Sequence, residues 1–378
     1  MSERVLVTGG AGFVGSHLAD ALAAAGHEVI LFDNLEGQVH GVGGDRPEYL
    51  DPRHTLYRGD NRDPDALWPR LRDVDVIFHL AAMVGVGQSM YQVRRYTDVN
   101  TMGMATLLEG LVSTRKESKL RKLLVASSMS IYGEGAYLCQ QCGVVAPRLR
   151  ADEQLAAADW EMHCPRCGAH VQPAPTGEDK PLYPTSIYAI NKRDHEEMAL
   201  AFGHAYSVPA VALRFFNIYG SRQALNNPYT GVAAIFSGRM LSGEPPLIYE
   251  DGQQLRDFVH VSDIAHACML AMDKPAADFQ TFNVGTGRPI SVLNVAATLA
   301  HELRWTGDFL ITGKYRAGDV RHCFADITSA QTLLGYEPRR TFEEGVHELV
   351  GWVRSQSGAS APLSAEAQRE LAARGLVR

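Results

Sequence analysis

The chain has 378 residues, 46% of them hydrophobic and 21% charged, as expected of a soluble globular protein built as one large α/β unit or two domains. Its net charge of -7 argues against a nucleic-acid binder, which needs a basic face. No apolar run is long enough to span a bilayer, and the N-terminus lacks the basic region and apolar core of a secretion signal, so a cytoplasmic protein is expected.

"RVLVTGG" is a short apolar run, predicted as a buried strand; "SHLADALAAAG" has helical apolar spacing and stops at Gly26; "HEVILFDN" predicts a second strand. Together they form a βαβ unit with a glycine-rich first turn. Gly9, Gly10, Gly12 and Gly15 satisfy GxGxxG, a spacing that lets backbone approach a pyrophosphate at a helix N-terminus. Alone the motif says little. Here it follows a strand, opens a helix at Phe13 and Val14, and is answered by Asp33 at the end of the second strand. Asp33 would bond a ribose 2′-hydroxyl, and "DNLEGQ" offers no Arg or Lys for a 2′-phosphate, which favours NAD over NADP. Asn34, Asp60 and Asn61 fall where strand ends would meet the adenosine, and "DVIFHLAAMVG" runs a strand into Leu80, Ala81 and Ala82 beside the dinucleotide.

"KLLVASSMSIYG" predicts another strand with Ser127, Ser128 and Ser130 at its C-terminal end, either local turn residues or part of a site. "CQQCG" and "CPRCG" then place Cys139, Cys142, Cys164 and Cys167 in two CxxC knuckles. In a reducing compartment this pattern means metal or redox chemistry more than disulfides. The knuckles lack the helix context that lowers a thiol pKa, and acidic neighbours offset Arg148 and Arg150, so a structural zinc ribbon with four cysteine ligands is favoured over redox or nucleic-acid roles. Four thiolates leave no position open for substrate. Further on, "SIYAINK" sets Tyr188 and Lys192 four apart on one helix face, and a neighbouring ammonium would favour the phenolate of a catalytic base.

"TGGAGFVGSH", "HLAA", "SSMSIYG", "YAINK", "LRFFNIYG", "QLRDFVHVSD" and "FNVGTG" stand in the order of the extended short-chain dehydrogenase/reductase family, and the chain resembles its nucleotide-sugar epimerases and dehydratases to about Trp352, the cysteine segment excepted. The resemblance implies a Rossmann doubly wound sheet over residues 1–218, interrupted by the ribbon at 134–178 and rejoined by 257–283. A smaller substrate domain would cover 219–256 and 284–353, with a linker and tail at 354–378. It implies Ser128, Tyr188 and Lys192 as the catalytic set and adds Asn100 to the cofactor contacts. It further implies substrate contacts from Val84, Ser130 and Asn217, a nucleotide base packed on Tyr249, and Arg256 and Arg316 on the diphosphate. A homodimer through helices near Tyr96–Leu111 and Tyr188–Ala205 also follows from the resemblance.

Within that family the dehydratases carry Asp-Glu after the catalytic Ser/Thr, and the UDP-glucuronate decarboxylases carry Glu at the second position. Here Met129 and Ser130 follow Ser128, which disfavours both reactions and leaves 4-epimerisation. Met83, Val84 and Met129 would form an apolar sugar wall suited to a C6 methyl, or merely pack; Cys323 would make the pocket roomy. The pattern, cysteines included, looks most like the dTDP-L-rhamnose 4-epimerase group, so a dTDP-6-deoxyhexose is the expected substrate. A UDP-sugar 4-epimerase or a nucleotide-sugar 4-ketoreductase or dehydrogenase is the alternative. A non-catalytic sensor of this fold is disfavoured by the presence of both Tyr188 and Lys192.

Overall fold

A computed structural model describes residues 2–41, 43, 46–225, 231–356 and 369–378. From the N-terminus run β1 (Arg4–Thr8), β2 (Glu28–Asp33), β3 (Thr55–Arg58), β4 (Val76–His79) and β5 (Lys122–Ser128). β6 (Ala136–Cys139), β7 (Gly143–Val145) and β8 (Gln172–Ala174) lie in the cysteine insertion. Then come β9 (Ala210–Phe215), β10 (Asn217–Tyr219), β11 (Leu247–Ile248), β12 (Leu255–His260), β13 (Thr281–Val284), β14 (Pro289–Ser291), β15 (Leu310–Ile311) and β16 (His322–Cys323).

Seven strands form one parallel sheet in the order β13-β9-β5-β4-β1-β2-β3. β4, β5 and β9 are buried along their whole lengths, because helices cover both faces of a parallel sheet. The Phe13–Ala24 and Val261–Asp273 helices supply Leu18, Leu22, Ile264 and Ala267 to the core on one face. The Gly103–Ser113 and Ile187–Tyr206 helices supply Met104, Leu107, Ala199 and Phe202 to the other. Strand order reverses at the β1/β4 boundary, which opens the crevice where such sheets take a ligand.

β10, β12, β14 and β16 form a second sheet, and β11 pairs with β15. They pack with the Val232–Leu241, Val292–Leu303 and Phe342–Ser355 helices around a separate core that includes Phe236, Leu299, Phe342 and Leu349. The last of these helices starts with a capping box between Thr341 and Glu344. No helix among the described residues is long and apolar enough to cross a membrane.

The insertion is a three-stranded antiparallel sheet, β7-β6-β8, over a core of six residues: Tyr137, Cys139, Val145, Met162, Cys164 and Val171. Two of the six are knuckle cysteines, so this unit has little apolar surface of its own to hold it together.

The expected linker and tail at 354–378 is described in part. Part of the linker lies outside the described residues, but 369–373 is helical and the chain after it docks against residues 315–317. Val377 pairs with Arg316 in an antiparallel bridge, Tyr315 and Arg378 exchange two 3.0 Å backbone bonds, and Ala317 N–H donates to Leu376 O at 3.0 Å. The backbone of this stretch has definite partners.

Candidate active site

A cavity of about 470 Å³ runs along the C-terminal ends of β1, β2, β4 and β5. At one end the glycine turn is shaped by contact. Gly9 has φ +67°, and a Cβ there would lie 2.7 Å from the Ala81 nitrogen; a Cβ at Gly15 would strike the Gly9 carbonyl. Gly12 faces the cavity, where only the Gly9 carbonyl at 3.2 Å would meet an added Cβ. Gly9, Gly12, Phe13, Val14, Asp33, Asn34, Asp60, Asn61, Leu80, Ala81 and Ala82 all line this end.

Asp33 accepts from Ala11 N–H at 3.0 Å and Leu35 N–H at 2.9 Å, so its carboxylate is fixed across the mouth of the glycine turn. Burial raises its pKa, and these backbone bonds oppose that. Asn34 donates to Asp60 at 3.2 Å, and Arg62 bridges Asp60 and Asp98. His40 lies 3.9 Å from Asp33. A glycine cradle over an open helix N-terminus, faced by a strand-end acid, fits an adenine dinucleotide.

Asn100 does not line the cavity. It is fully buried, its Oδ1 accepting from Met83 N–H at 2.7 Å and its Nδ2 donating to Met83 O at 3.1 Å. Its amide pins the segment after β4, which places Asn100 behind that wall of the cavity.

At the other end, Ser128, Ser130, Tyr188, Lys192 and Asn217 converge on the cavity with Met83, Val84 and Met129. Ser128 closes β5 in extended backbone and its Oγ accepts from Ser130 N–H at 3.2 Å, capping a single 3₁₀ turn. Ser130 Oγ meets Ser128 Oγ at 3.0 Å. Ser127 turns away to donate to Glu196 at 2.7 Å. The helix carrying Tyr188 and Lys192 is capped by Ser186, whose Oγ accepts from Ala189 N–H at 3.1 Å. Asn217 presents a buried Oδ1 with no partner among the described residues, a polar atom open to a ligand.

Burial pushes the Tyr188 phenol up to about 12, offset in part by its hydrogen bond with Ser128, and holds Lys192 down to about 7. The expectation that Lys192 lowers the tyrosine pKa is therefore not met within the protein alone. The lysine donates instead to the Ala126 carbonyl at 2.8 Å.

Tyr249, Arg256 and Arg316 lie together outside the cavity lining. The Arg316 guanidinium sits 5.1 Å from the Tyr249 ring centre, and Asp319 binds both Arg316 at 2.6 Å and Arg256 at 3.3 Å. Cys323 is buried against Thr176 at 3.9 Å and does not line the cavity, so it does not widen the pocket. The sequence reading missed the bracing of the catalytic wall. Arg214 holds Glu196 at 2.5 Å and Tyr132 Oη at 2.7 Å, and Tyr132 donates to Asn283 at 2.7 Å. Arg214, Tyr132 and Asn283 stand in the quoted motifs "LRFFN", "SIYG" and "FNVG", which was the available signal, and Glu196 stands one helical turn after Lys192 of "YAINK".

The four knuckle sulfurs lie within 4.8 Å of one another. Tetrahedral Zn–S bonds of about 2.3 Å place sulfurs about 3.8 Å apart, and Cys139 and Cys167 are 3.6 Å apart, so the donor set fits zinc.

The fold and cleft define a class, the nucleotide-cofactor enzymes that carry Tyr and Lys on one helix face. The family model described as "NAD dependent epimerase/dehydratase family" matches residues 5–148 and 167–285, and the chain belongs to this family. The match breaks inside the cysteine insertion. A dTDP-L-rhamnose 4-epimerase of Burkholderia thailandensis is 33% identical over 94% of this chain and 96% of its own. A UDP-glucose 4-epimerase of Thermotoga maritima, solved with UDP-glucose, is 30% identical with TM-score 0.76 over 94% of this chain and 100% of its own. A UDP-glucose 4-epimerase of Thermus thermophilus, solved with NAD, is 29% identical with TM-score 0.72 over 93% and 99%. The protein is an enzyme of the NAD-dependent nucleotide-sugar epimerases.

Proposed function

We propose that the protein interconverts the C4 epimers of a dTDP-6-deoxyhexose. The observation that carries this is the catalytic end of the cavity. Ser128, Tyr188 and Lys192 meet there, and the positions after Ser128 are Met129 and Ser130, without a carboxyl group to eliminate water or assist decarboxylation. In this reading Tyr188 takes the proton of the sugar 4-hydroxyl and later returns it. Ser128 holds the 4-oxygen by hydrogen bond. Lys192, fixed on Ala126, orients the cofactor ribose. When bound, NAD supplies the hydride acceptor and donor and a positive ring charge that favours phenolate. The 4-keto sugar turns over between the two transfers, and the apolar Met83, Val84 and Met129 wall offers no polar group to hold it in one orientation.

The same wall suits a C6 methyl, which supports a 6-deoxy sugar, as does the similarity to the Burkholderia protein. Tyr249 is read as the base platform and Arg256 with Arg316 as the diphosphate clamp. Zinc on the four cysteines is read as structural. A cytoplasmic homodimer is also proposed; exposed Met102 and Ile190, on packed helical segments joined by the 2.7 Å Thr101–Asp194 bond, support that interface.

The test is incubation of the holoenzyme, without added cofactor, with dTDP-6-deoxyhexoses and with UDP-glucose, following C4 by NMR. Epimerisation of the dTDP sugar is expected. Turnover of UDP-glucose alone would reassign the substrate, and dependence on added NADH would point to a ketoreductase.

A further inference from the structure

Arg321 is fully buried yet faces three carboxylates. Its guanidinium donates to Glu161 at 2.6 Å, Asp251 at 2.7 Å and Glu250 at 2.9 Å. Glu161 belongs to the cysteine insertion, three positions before Cys164. Glu250 and Asp251 follow Tyr249 in a turn where Glu250 has φ +52°, a left-handed conformation that a non-glycine residue adopts only when its surroundings hold it. A second buried arginine, Arg150 of the insertion, grips Glu250 with two bonds of 2.8 and 3.0 Å. His322 adds a 3.1 Å contact to Glu161.

The backbone on the other side of Arg321 holds the expected diphosphate clamp. Arg256 donates to Arg321 O at 2.9 Å and Val320 O at 2.6 Å, and Asp319 takes both Arg256 and Arg316. The segment 319–321 thus aligns two arginines by its carbonyls and one carboxylate. The Arg321 side chain ties that segment to the insertion and to the Tyr249 turn.

We propose that Arg321 is a positioning residue for nucleoside-diphosphate binding, and that through Glu161 and Arg150 the cysteine insertion sets the affinity of that site. A guanidinium fork suits this, because it fixes the direction of several bonds at once where an ammonium would fix none. The inference rests on the reading of Tyr249, Arg256 and Arg316 as the nucleotide's ligands.

The test uses full-length, metal-loaded protein and measures Kd for dTDP and UDP by calorimetry, with KM, kcat, retained NAD and Tm alongside. Glu161→Gln is the mild variant, since that side chain is 44% exposed. It should weaken nucleoside-diphosphate binding about tenfold, the scale of one lost charged hydrogen bond. The loss should fall on KM rather than kcat, with NAD retained. Arg321→Lys keeps the charge and should weaken binding at least as much. The double variant should bind no worse than Arg321→Lys, because both changes interrupt one connection. Unchanged Kd in Glu161→Gln, with only a lower Tm, would overturn the coupling and leave the functional reading standing. Wild-type protein that binds neither dTDP nor UDP would overturn both.

Discussion

Lys192 Nζ donates to the Ala126 carbonyl at 2.8 Å, so the lysine of the Tyr188 helix is anchored to the strand that ends in Ser128. The proposed catalytic set is thereby a strand end and a helix face held in one frame, with Glu196 of that helix bonded both to Ser127 of the same strand and to Arg214 of the neighbouring β9. The glycine turn and Asp33 stand at the opposite end of the cavity. Tyr188→Phe should therefore lower kcat by on the order of 10²–10⁴-fold, the usual reach of a general base, while cofactor stays bound. Initial rates, with chromatography of the nucleotide released on denaturation, test both halves; a variant that keeps most of its turnover would remove Tyr188 from its role.

The buried lysine also sets a pH dependence. Lys192 is held down to about 7 from 10.5. Below about pH 7 native and unfolded chains both carry the proton, and the burial cost is full and constant. Between about 7 and 10.5 the unfolded chain binds a proton that the native chain does not, so stability rises with pH. Tyr188, raised to about 12, works the other way above its ordinary value of 10.0, so the gain shows between about pH 7 and 10. The unfolding free energy of nucleotide-free protein should climb across that window relative to Lys192→Met, by on the order of 1.4 kcal/mol per pH unit at most, with Tm rising alongside. Parallel curves would show that the lysine titrates normally.

Local patterns made much of this legible. Continuous apolar runs marked β1, β4 and β5 because strands covered on both faces need no polar alternation. Four-residue spacing put Tyr188 and Lys192 on one face, and CxxC spacing brought four sulfurs together. Relationships between distant segments were not legible. Nothing near Asn100 says that its amide is spent on Met83, and nothing near Arg321 names Glu161 and Glu250 as its partners. Tyr188 and Lys192 are adjacent in the pattern, yet their proton affinities follow burial, which depends on the whole fold.

The C-terminal stretch contacts three distant segments of the chain. Glu370 accepts from Tyr91 Oη at 2.9 Å and the Arg374 guanidinium lies 4.1 Å from the Tyr91 ring centre, while Val377 pairs with Arg316 and Arg378 reaches Asp152 of the insertion. Removing residues 369–378 should free the Arg316 segment on one side and raise KM for the nucleotide sugar several-fold, with bound NAD unchanged. Steady-state kinetics and nucleotide content of the shortened chain check this; an unaltered KM would make the docking incidental.

The insertion tests what the cysteines do. Its core is six residues, two of them Cys139 and Cys164, so apolar burial alone is a poor source of stability for it. Thiolate ligation of zinc can contribute on the order of 10 kcal/mol of local folding free energy, which offsets that lack. One zinc per chain is therefore expected by metal analysis of freshly purified protein. Cys164→Ser removes a buried ligand and should lower Tm and increase proteolysis within 134–178. Glu161 and Arg150 hang from this unit and reach Arg321 and Glu250. Loosening the unit should thus raise KM before it affects bound NAD, whose cradle touches none of these residues. Restored KM on zinc addition to chelator-treated wild type, but not to Cys164→Ser, would tie the effect to the metal. Protein without zinc, or a Cys139–Cys142 disulfide that cycles with turnover, would assign the knuckles to redox chemistry instead.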